Sequence, residues 1–254
     1  MDDTAALSPD VPAVPQHSSG ERYWEIDAIR GIAILGMIFY NCYVFGTAIF
    51  VILAGIAMIL RHERMQRAGK TDREYYVTLV NRSLLLFGIA MLITLVTWIA
   101  YRVFLDSNDA IVFGFLHMLS ISMLIAVPLL RFKKWNLLFG LAIMGIGTLL
   151  IPHFTTPEWL FPIGIHSAEF LAHTPDYFPL FPWTGVLLLG VGLGNVFYPN
   201  GIRGFTLKYV PGKILQAMAK LGHGTVTLFI YIIHMPIIFV ILWIFGAITG
   251  IGYL

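Results

Sequence analysis

The side chains in this chain that could take part in chemistry are few, and they interrupt long apolar segments. Asp27 and Arg30 lie one helical turn apart, and the planar guanidinium of Arg30 suits phosphate oxygens. An ion pair that fixes a helix end is the competing interpretation for these two residues. Eleven residues after Arg30, Asn41 could polarise an acyl carbonyl or position an amine, or it could bond a neighbouring helix.

Two histidines lie within apolar stretches, where ionisable groups are costly and often functional. His117 and His234 are therefore candidates for the base that deprotonates an attacking nucleophile. Each could instead be an interhelical hydrogen-bond donor, and His234 precedes Pro236, which frees a backbone carbonyl for the imidazole to bond. Asp176 closes a segment (152–179) rich in His and acidic residues, whose spacing matches no zinc site, and it is a candidate for an acceptor pocket.

The composition identifies the elements that must position these side chains. Of 254 residues, 58% are hydrophobic and 12% charged, with a mean hydropathy of +0.80, which is far more apolar than a soluble domain. Uncharged runs that can hold a bilayer-crossing helix recur at 31–60, 83–101, 110–130, 135–156, 177–202 and 221–254. Because these runs are continuous rather than alternating, we predict an all-α, polytopic transmembrane helix bundle.

The first of these runs has an awkward length. As one helix it would measure about 45 Å, against a hydrocarbon core of about 30 Å. A single helix over 32–60 predicts six spans in all, whereas two helices with a break near Gly46 and Thr47 predict about seven. Periodicity leaves both interpretations open.

The basic residues predict the orientation of the bundle. They cluster in 61–82, 131–134 and 203–220, whereas 152–179 has no Lys or Arg. We therefore predict a protein of the plasma membrane in which, by the positive-inside rule, the three clusters face the cytoplasm and the C-terminus lies outside. We expect residues 1–21, which are acidic and Pro-rich, to be a disordered tail, and residues 22–254 to form a single transmembrane domain.

Four motifs are distributed along most of the chain. They are Asp27-x-x-Arg30-Gly31 with Met37 and Asn41 behind it, Gly114-Phe-Leu-His117, Asp176-Tyr-Phe-Pro-Leu-Phe-Pro-Trp183, and Tyr231-Ile-Ile-His234-x-Pro236. Together they resemble the heparan-α-glucosaminide N-acetyltransferase catalytic-domain family, which belongs to a wider group of transmembrane acyltransferases. In that family an external loop with a histidine follows the helix-1 asparagine. Here Asn41 runs almost directly into the next helix, so the resemblance implies two helices with a shortened connection, seven spans and a cytoplasmic N-terminus.

The resemblance implies transfer of an acetyl group from cytosolic acetyl-CoA to an amino sugar or other glycan on the outer face. Asp27 and Arg30 would bind the donor, and the residues assigned to catalysis are Asn41, His117, His234 and Asp176. The expected partners are the lipid bilayer, the acyl-CoA donor and the acceptor, with a homodimer left open and neither metal nor nucleic acid expected. The alternatives are a small-solute transporter or channel, and a catalytically inactive member with a binding or assembly role.

Overall fold

The computed structural model describes residues 23–38, 43–104, 106–206 and 212–249, and this part of the chain is helical without strands. Its helices are α1 (Trp24–Ile38), α2 (Tyr43–Arg67), α3 (Asp72–Phe104), α4 (Phe115–Leu129), α5 (Asn136–Gly145), α6 (Ala168–Ala172), α7 (Leu180–Phe197), α8 (Lys213–Leu221) and α9 (Gly224–Thr249). A π-turn at Ile146–Leu150 and 3₁₀ turns at Leu130–Trp135, Ile151–His153, Glu158–Leu160 and Pro199–Gly201 complete it. The predicted all-α class is confirmed.

Four segments of the described chain are long and apolar enough to cross a membrane. They are Gly46–Arg67, Asp72–Phe104, Phe115–His153 and Leu180–Phe197, with a shorter apolar helix at Gly224–His234. Helix α1 has 15 residues, fewer than the roughly 20 that a bilayer-spanning helix needs. The total of about seven spans therefore stays a prediction.

The third of these segments contains a reversal of chain direction. Lys133 has a φ of 47° inside the turn between α4 and α5. Helix α4 runs parallel to α7, because Phe115 packs on Phe178 near the start of both helices. Helix α5 runs antiparallel to α7, because Gly147, just after its end, lies against Pro182 at the start of α7. The two halves of this apolar segment are therefore separate antiparallel helices.

The opening apolar run is two helices rather than one. Tyr23 and Ile26, at the start of α1, share a hydrophobic cluster with Ile56 and Leu60 near the end of α2, so α1 and α2 are antiparallel. This arrangement agrees with the two-helix interpretation of the run. The predicted position of the break is wrong, because Gly46 and Thr47 lie within the first turns of α2, which spans Tyr43–Arg67. The connection that carries Asn41 lies outside the described residues, as do residues 1–22.

The basic segments meet at one end of the bundle. Arg67, at the end of α2, donates to the Gly201 carbonyl at 3.1 Å, and Tyr23 donates to the same carbonyl at 2.7 Å. Arg203 forms a bidentate pair with Glu25 of α1, with distances of 2.9 and 2.8 Å. The α4–α5 turn lies at this end too, because α4 runs parallel to α7. We call this the basic end; its placement on the cytoplasmic side stays a prediction.

Helix α7 is the centre of the packing, and its glycines make that position possible. On one face Gly190 lies directly on the backbone of Ile52 in α2, and on another Gly192 lies on Leu137 of α5. A Cβ atom at either glycine would overlap these neighbours. Small residues allow such close backbone approach between apolar helices, where van der Waals packing drives association.

We expect Gly190→Ala to lower the free energy of unfolding by about 1–3 kcal/mol, because the added methyl group overlaps the Ile52 backbone. Gly88→Ala is the matched control, because a Cβ there has no neighbour within 4 Å. This control should leave stability unchanged or raise it by up to about 1 kcal/mol through helix propensity. Unfolding in detergent measures both, and equal stability of Gly190→Ala and the native chain would contradict the α2–α7 packing.

Candidate functional site

A cavity of about 460 Å³ lies between α1, α2, α3, α4 and α9, within the size range of small-molecule sites. Its lining is of two kinds. Towards the basic end it is cationic, with Arg30, Arg61, Arg64 and Arg82. Away from that end it is apolar and aromatic, with Phe50, Phe115, Leu116, Leu119, Met123 and Tyr231. A groove of about 570 Å³ at the α2–α3 turn is a weaker candidate, because it lies on the surface and its Lys70 and Glu74 bond each other at 3.2 Å.

The lining of the cavity changes from apolar to cationic along one stripe of residues on α2. Phe50, Ala54, Ala57, Arg61 and Arg64 line the cavity and are spaced by four, three, four and three residues. That spacing puts all five on one face of a helix. At 1.5 Å per residue the stripe is about 21 Å long. The cavity therefore has the form of a shaft with a cationic mouth.

Helix α3 forms a second wall of the same character. Tyr75, Leu79, Arg82 and Leu86 line the cavity at four- and three-residue intervals, and the Tyr75 hydroxyl donates to the Met58 carbonyl of α2 at 2.7 Å. The Arg82 guanidinium reaches across to the start of α9, where an added Cβ at Gly224 would lie 3.7 Å from its Nη2. Arg82 thus adds charge to the shaft from α3.

The predicted donor residues Asp27 and Arg30 form the ion pair that their spacing allows, while their binding of the donor stays a prediction. Both are buried and line the cavity. Arg30 Nη1 donates to Asp27 Oδ1 and to the Gly222 carbonyl, each at 3.1 Å, so the guanidinium also fastens α1 to the α8–α9 junction. Gly31 permits this docking, because a Cβ there would overlap the Met218 backbone. Arg30 is paired to Asp27, and three further arginines, Arg61, Arg64 and Arg82, line the cavity from α2 and α3.

The sequence alone does not single out these three arginines as site residues. Arg61, Arg64 and Arg82 belong to the basic segment that the positive-inside rule already explains, so their number alone favours no site. The signal that singles out Arg61 and Arg64 is their register with Phe50, Ala54 and Ala57 on one helix face. Arg82 can be assigned only once α3 is packed against the cavity.

The apolar end of the shaft is bounded by Phe50, Phe115 and Tyr231. The Phe115 ring contacts both Phe50 and Tyr231, with centroids 5.7 and 5.2 Å apart. Asp176 lies just behind these rings and is buried. Its Oδ2 accepts the Phe115 backbone N–H at 3.2 Å and is 3.5 Å from the Tyr231 hydroxyl. The structure thus brings one predicted site residue, Asp176, to the inner end of the cavity.

His117 has a different environment from the one a base for this cavity needs. Its Nδ1 accepts the Gly114 backbone N–H at 3.3 Å, so the proton of the neutral ring is on Nε2, which lies 3.4 Å from Thr94 Oγ1. The ring is buried between Phe87 and Phe113. His117 is not among the cavity-lining residues. These contacts describe a side chain that caps the start of α4 and joins it to α3.

His234 bonds the backbone of its own helix. Its Nδ1 lies 2.6 Å from the Tyr231 carbonyl, which requires the proton on Nδ1. This contact agrees with the interpretation that His234 bonds a backbone carbonyl. The acceptor is the carbonyl of Tyr231, however, and not the one that Pro236 leaves free four residues before it. The His234 ring also lies 5.5 Å from the Tyr231 ring, so it flanks the inner end of the cavity without lining it.

The segment 152–179 covers the opposite end of the bundle through local contacts. His173 Nδ1 lies 2.7 Å from Asp109 Oδ1, and this hydrogen bond holds the pKa of Asp109 below its usual range. Tyr177 donates to the Phe161 carbonyl, and burial raises the pKa of its phenol. Within the described residues no three His, Cys, Asp or Glu side chains lie close enough together to hold a metal ion.

Fold and cavity define a class, an all-helical membrane protein with an internal shaft that is cationic at one end and apolar at the other. Sequence comparison then gives the particular family. The family model described as heparan-alpha-glucosaminide N-acetyltransferase, catalytic, matches residues 42–236, and the chain belongs to this family. Neither the curated proteins nor the solved structures contain a match to the chain.

The family match confirms the resemblance that the motifs indicated and places the chain among membrane acyltransferases. Its range includes His117, Asp176 and His234. It begins one residue after Asn41, so Asn41 and the Asp27-x-x-Arg30-Gly31 motif precede the matched range.

We expect His117→Leu to lower the free energy of unfolding by about 1–3 kcal/mol, because it leaves the buried Gly114 N–H without its acceptor. His153→Leu, at an exposed position, is the control and should stay within about 0.5 kcal/mol of the native chain. Thermal unfolding of the purified protein in detergent measures both. A His117→Leu protein of native stability would contradict the capping role and return His117 to the list of candidate bases.

Proposed function

We propose that the protein is an acyl-CoA-dependent acyltransferase that moves an acetyl or other acyl group to an amino sugar or another glycan. The observation that carries the proposal is the shaft itself, with Arg61, Arg64 and Arg82 at the cationic end and Phe50, Phe115 and Tyr231 at the apolar end. Membership of the acyltransferase family supports the same conclusion and favours an enzyme over a solute transporter.

The chemical groups of coenzyme A match the cationic and apolar ends of the shaft in order. Its nucleotide carries several phosphates, which arginine guanidinium groups bind in bidentate fashion. Its pantetheine arm is long, thin and only weakly polar, as the shaft between Ala54 and Leu119 requires. The thioester then lies at the aromatic end, near Tyr231. Arg30 contributes to the donor site from α1, and Asp27 holds Arg30 in place.

The acceptor reaches the same point from the other end of the bundle. Asp176 lies at the junction of the segment 152–179 with the inner end of the shaft, so its carboxylate can face an acceptor amine or hydroxyl. A complex of both substrates there lets the acyl group change sides while coenzyme A stays at the basic end. We assign the basic end to the cytoplasm and the segment 152–179 to the outside of the plasma membrane, by the positive-inside rule.

The remaining predicted residues take lesser parts in this account. Asn41 keeps its proposed role in positioning the reacting groups, although it lies outside the described residues. His117 becomes a positioning residue for the start of α4, where Phe115 and Asp176 meet. His234 orients the helix turn that carries Tyr231.

Arg64→Ala and Arg82→Ala should each raise the Kd for coenzyme A about 10- to 100-fold, the loss expected for a hydrogen bond to a charged group. Arg131→Ala removes an exposed arginine that stacks on Phe132 outside the cavity, and should change the Kd by less than twofold. Isothermal titration of the purified protein in detergent measures all three. A native protein that does not bind coenzyme A, or equal Kd values for all variants, would contradict the proposal.

A further inference from the structure

Tyr231 is the polar group at the apolar end of the shaft that the proposed function leaves without a chemical role. It lies seven residues into α9, about 10 Å from Gly224, where Arg82 reaches the helix. Both Gly224 and Tyr231 line the cavity. A donor with its phosphates at Arg82 and beyond therefore extends its thioester towards the Tyr231 hydroxyl.

The hydroxyl of Tyr231 is held by a buried carboxylate. It lies 3.5 Å from Asp176 Oδ2, which is at the long limit for a hydrogen bond and so is easily exchanged for another acceptor. The same Oδ2 atom takes the Phe115 backbone N–H at 3.2 Å, at the first turn of α4. The start of a helix stabilises negative charge, so this position suits the carboxylate of Asp176. Gly114 makes room for it, because a Cβ there would overlap Asp176 Oδ2.

We propose that Tyr231 is a catalytic residue that donates its hydroxyl proton as a hydrogen bond to the carbonyl oxygen of the acyl thioester. This inference rests on the proposed function. A phenol carries one donor hydrogen, so donation to the thioester ends its contact with Asp176. After that exchange, the Asp176 carboxylate accepts the proton of the acceptor nucleophile in place of the Tyr231 hydrogen bond. Tyr231 and Asp176 then act as one unit, with the first stabilising the developing oxyanion and the second serving as base.

The reaction balances without any further reagent. The acceptor amine attacks the thioester carbon, the C–N bond forms, and negative charge develops on the oxygen that Tyr231 bonds. The amine proton passes to Asp176, the C–S bond breaks, and Asp176 gives the proton to the departing thiolate. The thiolate is the stronger base, since a thiol has a pKa near 8.5 and an aspartic acid one near 3.9. The products are the acylated amine and free coenzyme A.

The test is the infrared carbonyl band of acetyl-CoA labelled with ¹³C at the carbonyl and bound to the purified protein. In the native protein the bound band should lie at lower frequency than in solution and in a Tyr231→Phe protein, because a hydrogen bond weakens the C=O bond. Tyr101→Phe is the control: it removes a phenol on a different helix, α3, at a position that does not line the cavity, and it should keep the native band. An identical bound band in the native and Tyr231→Phe proteins would overturn the proposal.

A kinetic experiment shows whether the Tyr231 hydroxyl acts in catalysis or Tyr231 only lines the cavity. With hydroxylamine or glucosamine as acceptor probe, Tyr231→Phe should lower kcat about 10²- to 10³-fold. Its Kd for coenzyme A should stay within twofold of the native value. Asp176→Asn should have a similar effect, and the double variant should lose little more than either single variant, because both act in one step.

The outcomes distinguish this inference from the function on which it rests. If the native protein binds no coenzyme A, the proposed function fails and the role of Tyr231 falls with it. If coenzyme A binds and Tyr231→Phe weakens binding and lowers turnover in parallel, or leaves kcat unchanged, the donor site stands and the catalytic role of Tyr231 is wrong.

Discussion

The close approach of α2 and α5 to the two faces of α7 determines how the helices around the cavity are arranged. Gly190 and Gly192 bring both neighbours to backbone distance, at Ile52 and Leu137. Because one face of α2 packs against α7, a different face, from Phe50 to Arg64, lines the shaft. α4 is likewise held by α7 through the 2.7 Å contact between Ser122 and Thr184, and turns its leucines and Met123 towards the same space. The cavity is therefore lined by those faces of α2 and α4 that do not pack against the central helix α7.

The positive-inside rule predicts basic residues at one end of a membrane bundle, and the arginines of this shaft lie at such an end. Arg61 and Arg64 continue the apolar stripe of α2 without leaving its face. A predicted role in membrane orientation is therefore compatible with the proposed role in binding an anionic substrate. The Asp27–Arg30 pair makes the same point, since it fastens α1 to the α8–α9 junction and also lines the shaft.

Much of the fold, and less of the site, could be predicted from the sequence. The helical class, the family and the division of the first apolar run depend on hydropathy, motifs and length, which are local properties of the chain. Asp176 could be proposed from the sequence for a similar reason, because it closes a segment rich in His and acidic residues beside an apolar run. The role of His117 could not be predicted, since its partners Gly114 and Thr94 belong to two helices whose packing no local pattern encodes. Tyr231 appears in the sequence only as part of a motif, and its proposed role depends on a contact with Asp176, 55 residues away.

In the proposed function, one shaft carries the donor from the basic end to Asp176 and Tyr231. A cryo-electron microscopy structure of the detergent-solubilised protein with acetyl-CoA would reveal the position of the donor. We expect phosphate density between Arg61, Arg64 and Arg82, with the acetyl carbonyl oxygen within hydrogen-bond distance of the Tyr231 hydroxyl. Density for the nucleotide at the end covered by 152–179, or an empty shaft at saturating acetyl-CoA, would contradict it.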